Sequence, residues 1–392
     1  MPTPAVPAAD AGRAARGCDV LVIGGGPAGM ATAIQLRTTT RLAVVVAESR
    51  LAPTERFGET LTPGTLAALD RLGLADALRT DGHLPCPGGV SVWGRAQPGH
   101  SDHLLDPRGP AWHIDRRLFE TRFRARAAEV GADVRAGTQV EGTSTQGGRT
   151  AVRLRDATGR TTTVRPLWVV DASGAGSWFA RRQGAARQAV DRLVAVLRLA
   201  DLEAGSFTAQ TVVEATPTGW WYGSRLPGAR IVTAVVTERN ATAALVRDGG
   251  RRWHEELAAT TLLGPLLDRV RLGDAPLRCR SVVVSVLDRL VGPGWLAVGD
   301  AASERDPITG CGIHDALLDA ADAAWTIAGA IGERDPPPWR YEDRVRSRFE
   351  THLQTRDALY AGEWRWPAEP FWSGREAVRS PASLLVPERL RS

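Results

Sequence analysis

The chain has 392 residues, 43% of them hydrophobic, and its 49 basic residues stand against 44 acidic ones. This length predicts one large domain or two intertwined ones, and the nearly balanced charge, with no long basic run, argues against a nucleic-acid-binding arm. None of the 49 basic residues is lysine, so no reaction step can use a lysine amine. No apolar run reaches the roughly 18 residues that a membrane span requires.

The four cysteines show none of the spacings typical of a redox pair or a metal site. Cys18, Cys86, Cys279 and Cys311 form no CxxC pair and have no metal-site spacing, so we expect no metal site. Residues 1–17 are rich in Pro and Ala and lack the apolar stretch of a signal peptide, which predicts a flexible tail. From these features we expect a cytoplasmic protein.

The first predicted elements are a strand over residues 18–23, a glycine-rich turn, a helix, and a second strand that ends at Glu48. Such a β-turn-α-β unit belongs to a parallel sheet. Gly24, Gly26 and Gly29 follow the GxGxxG pattern, which permits a tight turn and the approach of a pyrophosphate to the helix N-terminus. Glu48 is placed to hold a ribose hydroxyl, so the unit predicts dinucleotide binding.

The middle of the chain alternates between helices and strands. Residues 51–110 are rich in Gly and Pro and contain one predicted helix over 63–79, and a second helix is predicted after Asp115. A strand, a hairpin and the buried strand of "LWVVDASGAG" follow. From about 190 to 290 strands dominate, interrupted by a predicted helix over 251–270, which indicates a separate sheet-rich domain.

The stretch "GDAASERDPITGCGI", Gly299 to Ile313, comes directly after a predicted strand. Asp300 is placed to bind the hydroxyls of a ribityl chain. Gly310 and Gly312 begin a helix, whose N–H groups and dipole stabilise negative charge of the kind that a reduced flavin ring carries. We therefore predict that the chain returns here to hold the other end of the same cofactor.

The segments "VIGGGPAG", "DASGAGSWFAR" and "GDAASERDPITGCGI" resemble the FAD-dependent monooxygenases of the glutathione-reductase-like fold. That group includes aromatic hydroxylases, flavin-dependent halogenases and geranylgeranyl reductase-like enzymes, and the resemblance covers most of residues 18–335. It implies an α/β protein with a Rossmann-like FAD-binding domain (18–52, 111–185 and 291–335). A sheet-rich substrate domain (53–110 and 186–290) is inserted, and a helical C-terminal cap covers 336–392.

The resemblance also assigns residues to the cofactor. Gly24, Gly26, Gly29 and Glu48 would hold the ADP half of FAD, with the backbone at Val140 beside the adenine. Asp300, Gly310 and Gly312 would hold the ribityl and ring half. Arg116 matches an arginine close to the FAD, although a surface helix charge explains it as well. Neighbouring residues of the same motifs complete the expected set: Pro27, Ala28, Ser49, Asp171, Pro307, Cys311 and Ile313.

Two further segments resemble the tryptophan-halogenase-like branch, namely "RFGETLTP" (residues 56–63) and "GWWYGSRLP" (residues 219–227). Halogenases of that branch pass hypohalous acid to a lysine amine, which this chain lacks. The loop "DPITGCGI" also departs from theirs and looks like that of non-halogenating relatives. These include flavoproteins that oxygenate a tryptophan during quinone-cofactor maturation and tailoring enzymes of natural-product pathways.

The implied activity is monooxygenation of an aromatic or electron-rich substrate, with indole-like compounds among the candidates, through a flavin C4a-(hydro)peroxide. Glu59 and Arg56 would lie near the flavin. Trp220, Trp221 and Tyr222 would wall the substrate, and His314 would touch the flavin. Glu59 is explained equally well as a carboxylate at a helix start, and the aromatic residues by core packing. His314 is explained as a structural histidine in the first turn of a helix, and Cys311 as a small residue in a tight turn.

Other functions stay open at this point. An FAD-dependent dehydrogenase or C=C reductase of the geranylgeranyl reductase type is the main alternative. A halogenase and a non-enzymatic FAD scaffold follow. With only one GxGxxG unit, either NAD(P)H binds transiently or a separate flavin reductase supplies the electrons. The substrate is either a small molecule or a residue bound to a carrier or peptide.

Overall fold

The computed structural model describes residues 17–54, 58–103, 106–146, 149–332 and 338–376. Arg56 and most of the predicted N-terminal tail therefore lie outside the described residues, as does the end of the predicted C-terminal cap. The strands are β1 (Val20–Ile23), β2 (Val44–Glu48), β3 (Thr60–Leu61), β4 (Leu84–Cys86), β5 (Gly88–Val92), β6 (Gly99–Asp102), β7 (Ala111–His113), β8 (Asp133–Ala136), β9 (Gln139–Gln146), β10 (Arg149–Arg155), β11 (Thr161–Val164), β12 (Trp168–Asp171), β13 (Arg187–Ala204), β14 (Thr211–Thr216), β15 (Gly219–Leu226), β16 (Arg230–Glu238), β17 (Arg271–Leu272), β18 (Arg278–Leu287), β19 (Val291–Gly292), β20 (Trp295–Ala297) and β21 (Ser303–Glu304).

The helices fall into three groups: those beside the first sheet, a cluster near residue 250, and a C-terminal pair. They are α1 (Pro27–Thr39), α2 (Thr65–Arg71), α3 (Ala77–Thr80), α4 (Arg116–Glu129), α5 (Trp178–Arg182), α6 (Arg239–Val246), α7 (Arg251–Ala258), α8 (Leu263–Leu267), α9 (Gly312–Ile331), α10 (Pro338–Ala361) and α11 (Pro370–Glu376). None of the helices in the described ranges has the length and apolar character of a membrane span.

A six-stranded sheet of order β19-β20-β12-β1-β2-β8 forms the first layer, parallel except for β19. Its strands come from the three segments expected to build the FAD-binding domain. Strands β1, β2 and β12 are buried along their whole length, since a parallel sheet has both faces covered. Helix α1 packs against α4 and α9. A Cβ added to Gly299 would lie within 4 Å of both Ala28, at the start of α1, and Ala316, in the first turns of α9, so the two helix starts lie close together.

The second layer is a larger, mostly antiparallel sheet of order β21-β18-β13-β16-β15-β14-β5-β6, with β17 added beside β13. Successive side chains of a strand point to opposite faces. One face packs on α6, α7 and α8 through an apolar cluster that contains Trp221 and Trp253. The other face packs on α10 and α11 through a cluster that contains Trp220, Tyr360 and Trp372. The C-terminal helices therefore cover part of the face to which Trp220 belongs.

Two predicted helices are broken in the structure. The helix predicted over 63–79 divides into α2 and α3, because Gly73 adopts φ of +70°, a conformation that ends a helix. The helix predicted over 251–270 divides into α7 and α8, and the Thr260 hydroxyl accepts a hydrogen bond from the N–H of Gly264 at 2.7 Å as the second part begins. The predicted α/β class and the helical C-terminal region are confirmed.

Candidate cofactor and active site

A cavity of about 890 Å³ is lined by residues of both sheets and of the loops between them. Residues from each of the glycine motifs and from the predicted substrate wall take part in its lining. The two glycine-rich bends, nearly 300 residues apart in the sequence, therefore open into the same space.

The first bend, between β1 and α1, requires glycine for steric reasons. Gly24 has φ of +111°, and a Cβ there would lie 2.2 Å from the carbonyl oxygen of Ala172. A Cβ on Gly29 would lie 2.0 Å from the carbonyl oxygen of Gly24, so Gly29 permits the packing but does not itself line the cavity. Gly26, Pro27 and Ala28 do line it, and the N-terminus of α1 has no side-chain cap. An uncapped helix start facing a cavity suits a phosphate.

Glu48, at the end of β2, has its carboxylate oriented by the backbone. One oxygen accepts a hydrogen bond from the N–H of Gly25 at 2.7 Å and the other from that of Arg50 at 2.8 Å. Ser49 and, on β9, Val140 line the same part of the cavity. A fixed carboxylate here retains lone pairs for ribose hydroxyls.

The second bend brings Asp300, Pro307, Gly310, Gly312 and Ile313 to the cavity. A Cβ added to Gly312, the first residue of α9, would meet nothing within 4 Å, so the backbone here is open to a ligand.

Three residues predicted to contact the cofactor or substrate, two in the second bend and one at the end of β12, do not line the cavity. Cys311 and His314 are not among the lining residues, and His314 lies instead against the start of α2, near Gly64. Asp171 is fully buried and accepts hydrogen bonds from the N–H groups of Ser173, Phe179 and Ala180 at 2.8–3.0 Å. Asp171 therefore shapes the bend that presents residues 172–176 to the cavity and does not itself face it.

Glu59 is the predicted acid–base group that the structure places in the cavity. It is 5% exposed, and one oxygen accepts a hydrogen bond from the N–H of Gly58 at 2.9 Å. Burial raises the pKa of Glu59 to about 7, against the opposing pull of that N–H and of the positive charges of Arg116 and Arg280. Arg116 lines the cavity too, and it donates to the carbonyl of Gly58 at 2.8 Å and to Glu120 at 2.7 Å. It thus supports the loop that carries Glu59.

The three aromatic residues of β15 separate onto two faces. Trp220 and Tyr222 line the cavity, and the Tyr222 hydroxyl lies 2.8 Å from the Thr60 hydroxyl. Trp221 lies on the opposite face, fully buried, with its ring 5.1 Å from that of Trp253. The prediction that Trp221 walls the substrate is not supported by this placement, because strand alternation turns it away from the cavity.

Charged residues that the sequence did not single out also line the cavity, namely Arg50, Arg280, Glu304, Arg305 and Asp306. Burial raises the pKa of Glu304 to about 7, helped by the nearby charge of Asp300 and opposed by Arg187 and Arg280. The signal available in the sequence was that Glu304 and Arg305 lie inside the second glycine motif, between Asp300 and Pro307. No sequence motif includes Arg280, which lies on β18.

These residues fit a dinucleotide with a polar ring system at its far end. One end offers an uncapped helix start and a fixed carboxylate. The other offers an exposed helix N-terminus at Gly312 and the Asp300 carboxylate. The described residues hold no group of three or more His, Cys, Asp or Glu that would suit a metal ion.

The model of the protein family described as "FAD binding domain" matches residues 17–340. The chain therefore belongs to this family, and the predicted enzyme class, an FAD-dependent oxidoreductase, is confirmed.

Among curated relatives, the FAD-dependent oxidoreductase LodB of Marinomonas mediterranea is 25% identical over 92% of this chain and 97% of its own. Digeranylgeranylglycerophospholipid reductase of Thermoplasma acidophilum is 27% identical over 86% of this chain and 85% of its own.

Two solved structures share the fold. The myxobacterial chondrochloren halogenase CndH has a TM-score of 0.81 and 23% identity, covering 94% of this chain and 87% of its own. The peptidyl tryptophan dihydroxylase QhpG has a TM-score of 0.71 and 24% identity, covering 92% of this chain and 79% of its own. The predicted fold, a glutathione-reductase-like FAD-binding architecture, is confirmed by these likenesses.

Proposed function

We propose that the chain is an FAD-dependent monooxygenase that adds one oxygen atom of O₂ to an electron-rich aromatic ring, such as an indole or a phenol. The observation that carries this proposal is the makeup of one cavity. Glycines from both cofactor motifs, among them Gly26 and Gly312, line it together with Trp220, Tyr222 and Glu59. Two aromatic side chains and a carboxyl whose pKa lies near neutrality suit the binding and activation of an aromatic ring.

The protein's part in the reaction is to position the substrate and exclude water. The flavin, when bound and reduced, supplies the electrons and the O₂ chemistry. The Tyr222 ring is fixed by its hydrogen bond to Thr60, and the Trp220 indole by one to Tyr360 at 3.1 Å. Both side chains are therefore held in place before a substrate arrives, which reduces the cost of orienting it.

Glu59 is proposed as the general base. With a pKa of about 7, its carboxylate oxygen can accept the proton of a phenol hydroxyl or a hydrogen bond from an indole N–H, and either interaction makes the ring more electron-rich. Glu304 has a similar pKa in the same cavity, so the two carboxyls need to be separated experimentally.

Halogenation through a lysine amine is disfavoured because the chain contains no lysine. QhpG is named for a peptidyl substrate, which supports including a tryptophan held in a peptide among the candidates beside free small molecules. We propose that NAD(P)H or a separate flavin reductase supplies the electrons.

The second candidate, a C=C reductase, is favoured by the 27% identity to the digeranylgeranylglycerophospholipid reductase. One experiment separates the two. The enzyme is reduced with dithionite without O₂. One portion is then mixed with O₂ and a panel of indoles and phenols, a second portion is mixed with a polyprenyl alkene without O₂, and the product masses are measured by mass spectrometry. A gain of one oxygen supports the monooxygenase, whereas a change of two hydrogens without O₂ supports the reductase. A product that gains chlorine would show that the chain halogenates without a lysine amine. Free reduced FAD is the control.

A further inference from the structure

The hydroxyl of Tyr360 lies between two walls of the cavity. Trp220 Nε1 donates to it at 3.1 Å, and it donates to Asp306 Oδ2 at 3.1 Å. Trp220 and Asp306 both line the cavity, one from β15 and the other from the second glycine motif. Tyr360 comes from α10, beyond residue 340, where the match to the family model ends.

The direction of this chain of hydrogen bonds is fixed by chemistry. An indole nitrogen only donates, so the phenol oxygen must accept from Trp220 and direct its own proton to Asp306. Burial, together with the charge of Asp306, raises the pKa of Tyr360 well above its ordinary value. The hydroxyl therefore keeps the proton that this arrangement requires.

Asp306 in turn sets the position of the loop that follows it. Its Oδ1 accepts from the N–H of Ile308 at 3.0 Å and caps the turn Pro307–Thr309. Its own N–H donates to Nε2 of His352, also on α10, at 3.0 Å. Pro307 and Gly310 of this turn face the cavity. A shift of the Asp306 carboxylate would therefore move backbone that lines the cofactor space.

The ring of Tyr360 is held independently of its hydroxyl. It lies 5.9–6.3 Å from the rings of Trp93, Phe371 and Trp372, and the guanidinium of Arg356 lies 4.8 Å above it. Removing the hydroxyl alone should leave the ring in place. The oxygen thus has a role that the packing does not need.

We propose that Tyr360 is a positioning residue that couples the aromatic wall at Trp220 to the cofactor loop at residues 306–310. A change at Trp220, including contact with a substrate, is then transmitted to the surroundings of the flavin through one oxygen atom. The inference rests on the proposed function for its meaning in catalysis, but its test does not require turnover.

The test is a double-mutant cycle in the full chain. FAD is titrated into the apoprotein of the wild type, Trp220→Phe, Tyr360→Phe and the double variant. If the free energy of one such hydrogen bond, about 1 kcal/mol, is lost from the FAD-bound state alone, the dissociation constant of FAD rises about fivefold. We expect each single variant to show this rise, the double variant to show no more than either, and the visible flavin spectrum to shift in the same way in all three. Trp221→Phe, on the opposite face, is the matched control and should leave both readouts unchanged.

Independent effects that multiply to about 25-fold in the double variant would overturn the coupling, as would an unchanged FAD affinity in Tyr360→Phe. Circular dichroism of each variant checks that it is folded. If Tyr360→Phe does not fold, the cycle is run with Trp220→Phe and Asp306→Asn instead, whose effects on FAD affinity should multiply unless the Tyr360 hydroxyl couples the two side chains. If the enzyme oxygenates substrates but the effects of the variants on FAD affinity are additive, only this inference is refuted. If the effects are coupled but no substrate is oxygenated, only the proposed function is refuted.

Discussion

Oδ2 of Asp306 lies 3.1 Å from Nε of Arg356, and both side chains are buried. Arg356 comes from α10, and it also pairs with Asp191 of β13 and with its neighbour Asp357. One guanidinium thus joins the C-terminal helix, the larger sheet and the cofactor loop. The C-terminal segment is therefore part of the site's framework.

Replacing Arg356 with Met should destabilise the protein strongly, because Asp306 would stay buried without its ionic partner. Removing one member of a buried pair typically costs about 3–5 kcal/mol, which urea unfolding of the apoprotein would measure. The matched control is Arg251→Met, whose pair with Asp248 is exposed and should contribute less than about 1 kcal/mol. Equal, small losses in the free energy of unfolding of the two variants would show that the buried pair does not stabilise the fold.

Gly312→Ala should fold normally yet bind FAD poorly. A Cβ at this position meets no protein atom within 4 Å, so the methyl group would extend into space that the cofactor is expected to use. Gly374→Ala, on α11, also meets nothing within 4 Å but lies outside the cavity, and it should bind FAD like the wild type. Fluorescence titration of FAD into each apoprotein measures the difference. Equal affinities in the two variants would mean that FAD does not approach Gly312.

The pH profile of the reaction should report Glu59. Because its pKa is raised to about 7, the carboxylate form needed in a base increases as the pH rises from 6 to 8. We expect kcat/KM to rise over that range and to level off above it. Glu59→Gln should abolish the rise and lower the rate at pH 8 by a factor of about 10²–10⁴.

Glu304→Gln is the control for that experiment, since Glu304 has a similar pKa in the same cavity. If the rise of kcat/KM between pH 6 and 8 disappears in Glu304→Gln and persists in Glu59→Gln, Glu304 is the general base and Glu59 is not.

Adjacent tryptophans offer a test of the cavity wall. Trp220→Phe should raise the KM for an aromatic substrate, because Trp220 lines the cavity. Trp221→Phe should leave the KM unchanged and lower the free energy of unfolding by about 1–3 kcal/mol, since it leaves a void beside Trp253. Steady-state kinetics and urea unfolding measure the two effects. A KM that rises in Trp221→Phe instead would mean that β15 presents its other face to the substrate.

The sequence predicted the parts of the site that depend on local geometry. Tight turns at Gly24 and Gly310 and a carboxylate at the end of β2 follow from short-range rules, and the structure places these residues around one cavity. The faces of Trp220 and Trp221 depend on how β15 sits in its sheet, which no local pattern fixed.

Long-range contacts explain the rest of what was missed. Arg280 reaches the cavity from β18, and Tyr360 meets Asp306 across 54 positions of sequence. Nothing in the residues around Tyr360 marks it as a partner of the cofactor loop. The contact between Tyr360 and Asp306 depends on how α10 packs on the larger sheet, which only the folded chain shows.

The most direct test of the account is a single turnover in ¹⁸O₂. Dithionite-reduced enzyme with bound FAD is mixed with ¹⁸O₂ and an indole or phenol that perturbs the flavin spectrum, and the product is examined by mass spectrometry. An FAD-dependent monooxygenase should give one ¹⁸O atom in the aromatic product of the wild type, and free reduced FAD should give none. The proposed monooxygenase activity would be contradicted if the flavin is reoxidised while every indole and phenol that the enzyme binds stays free of ¹⁸O.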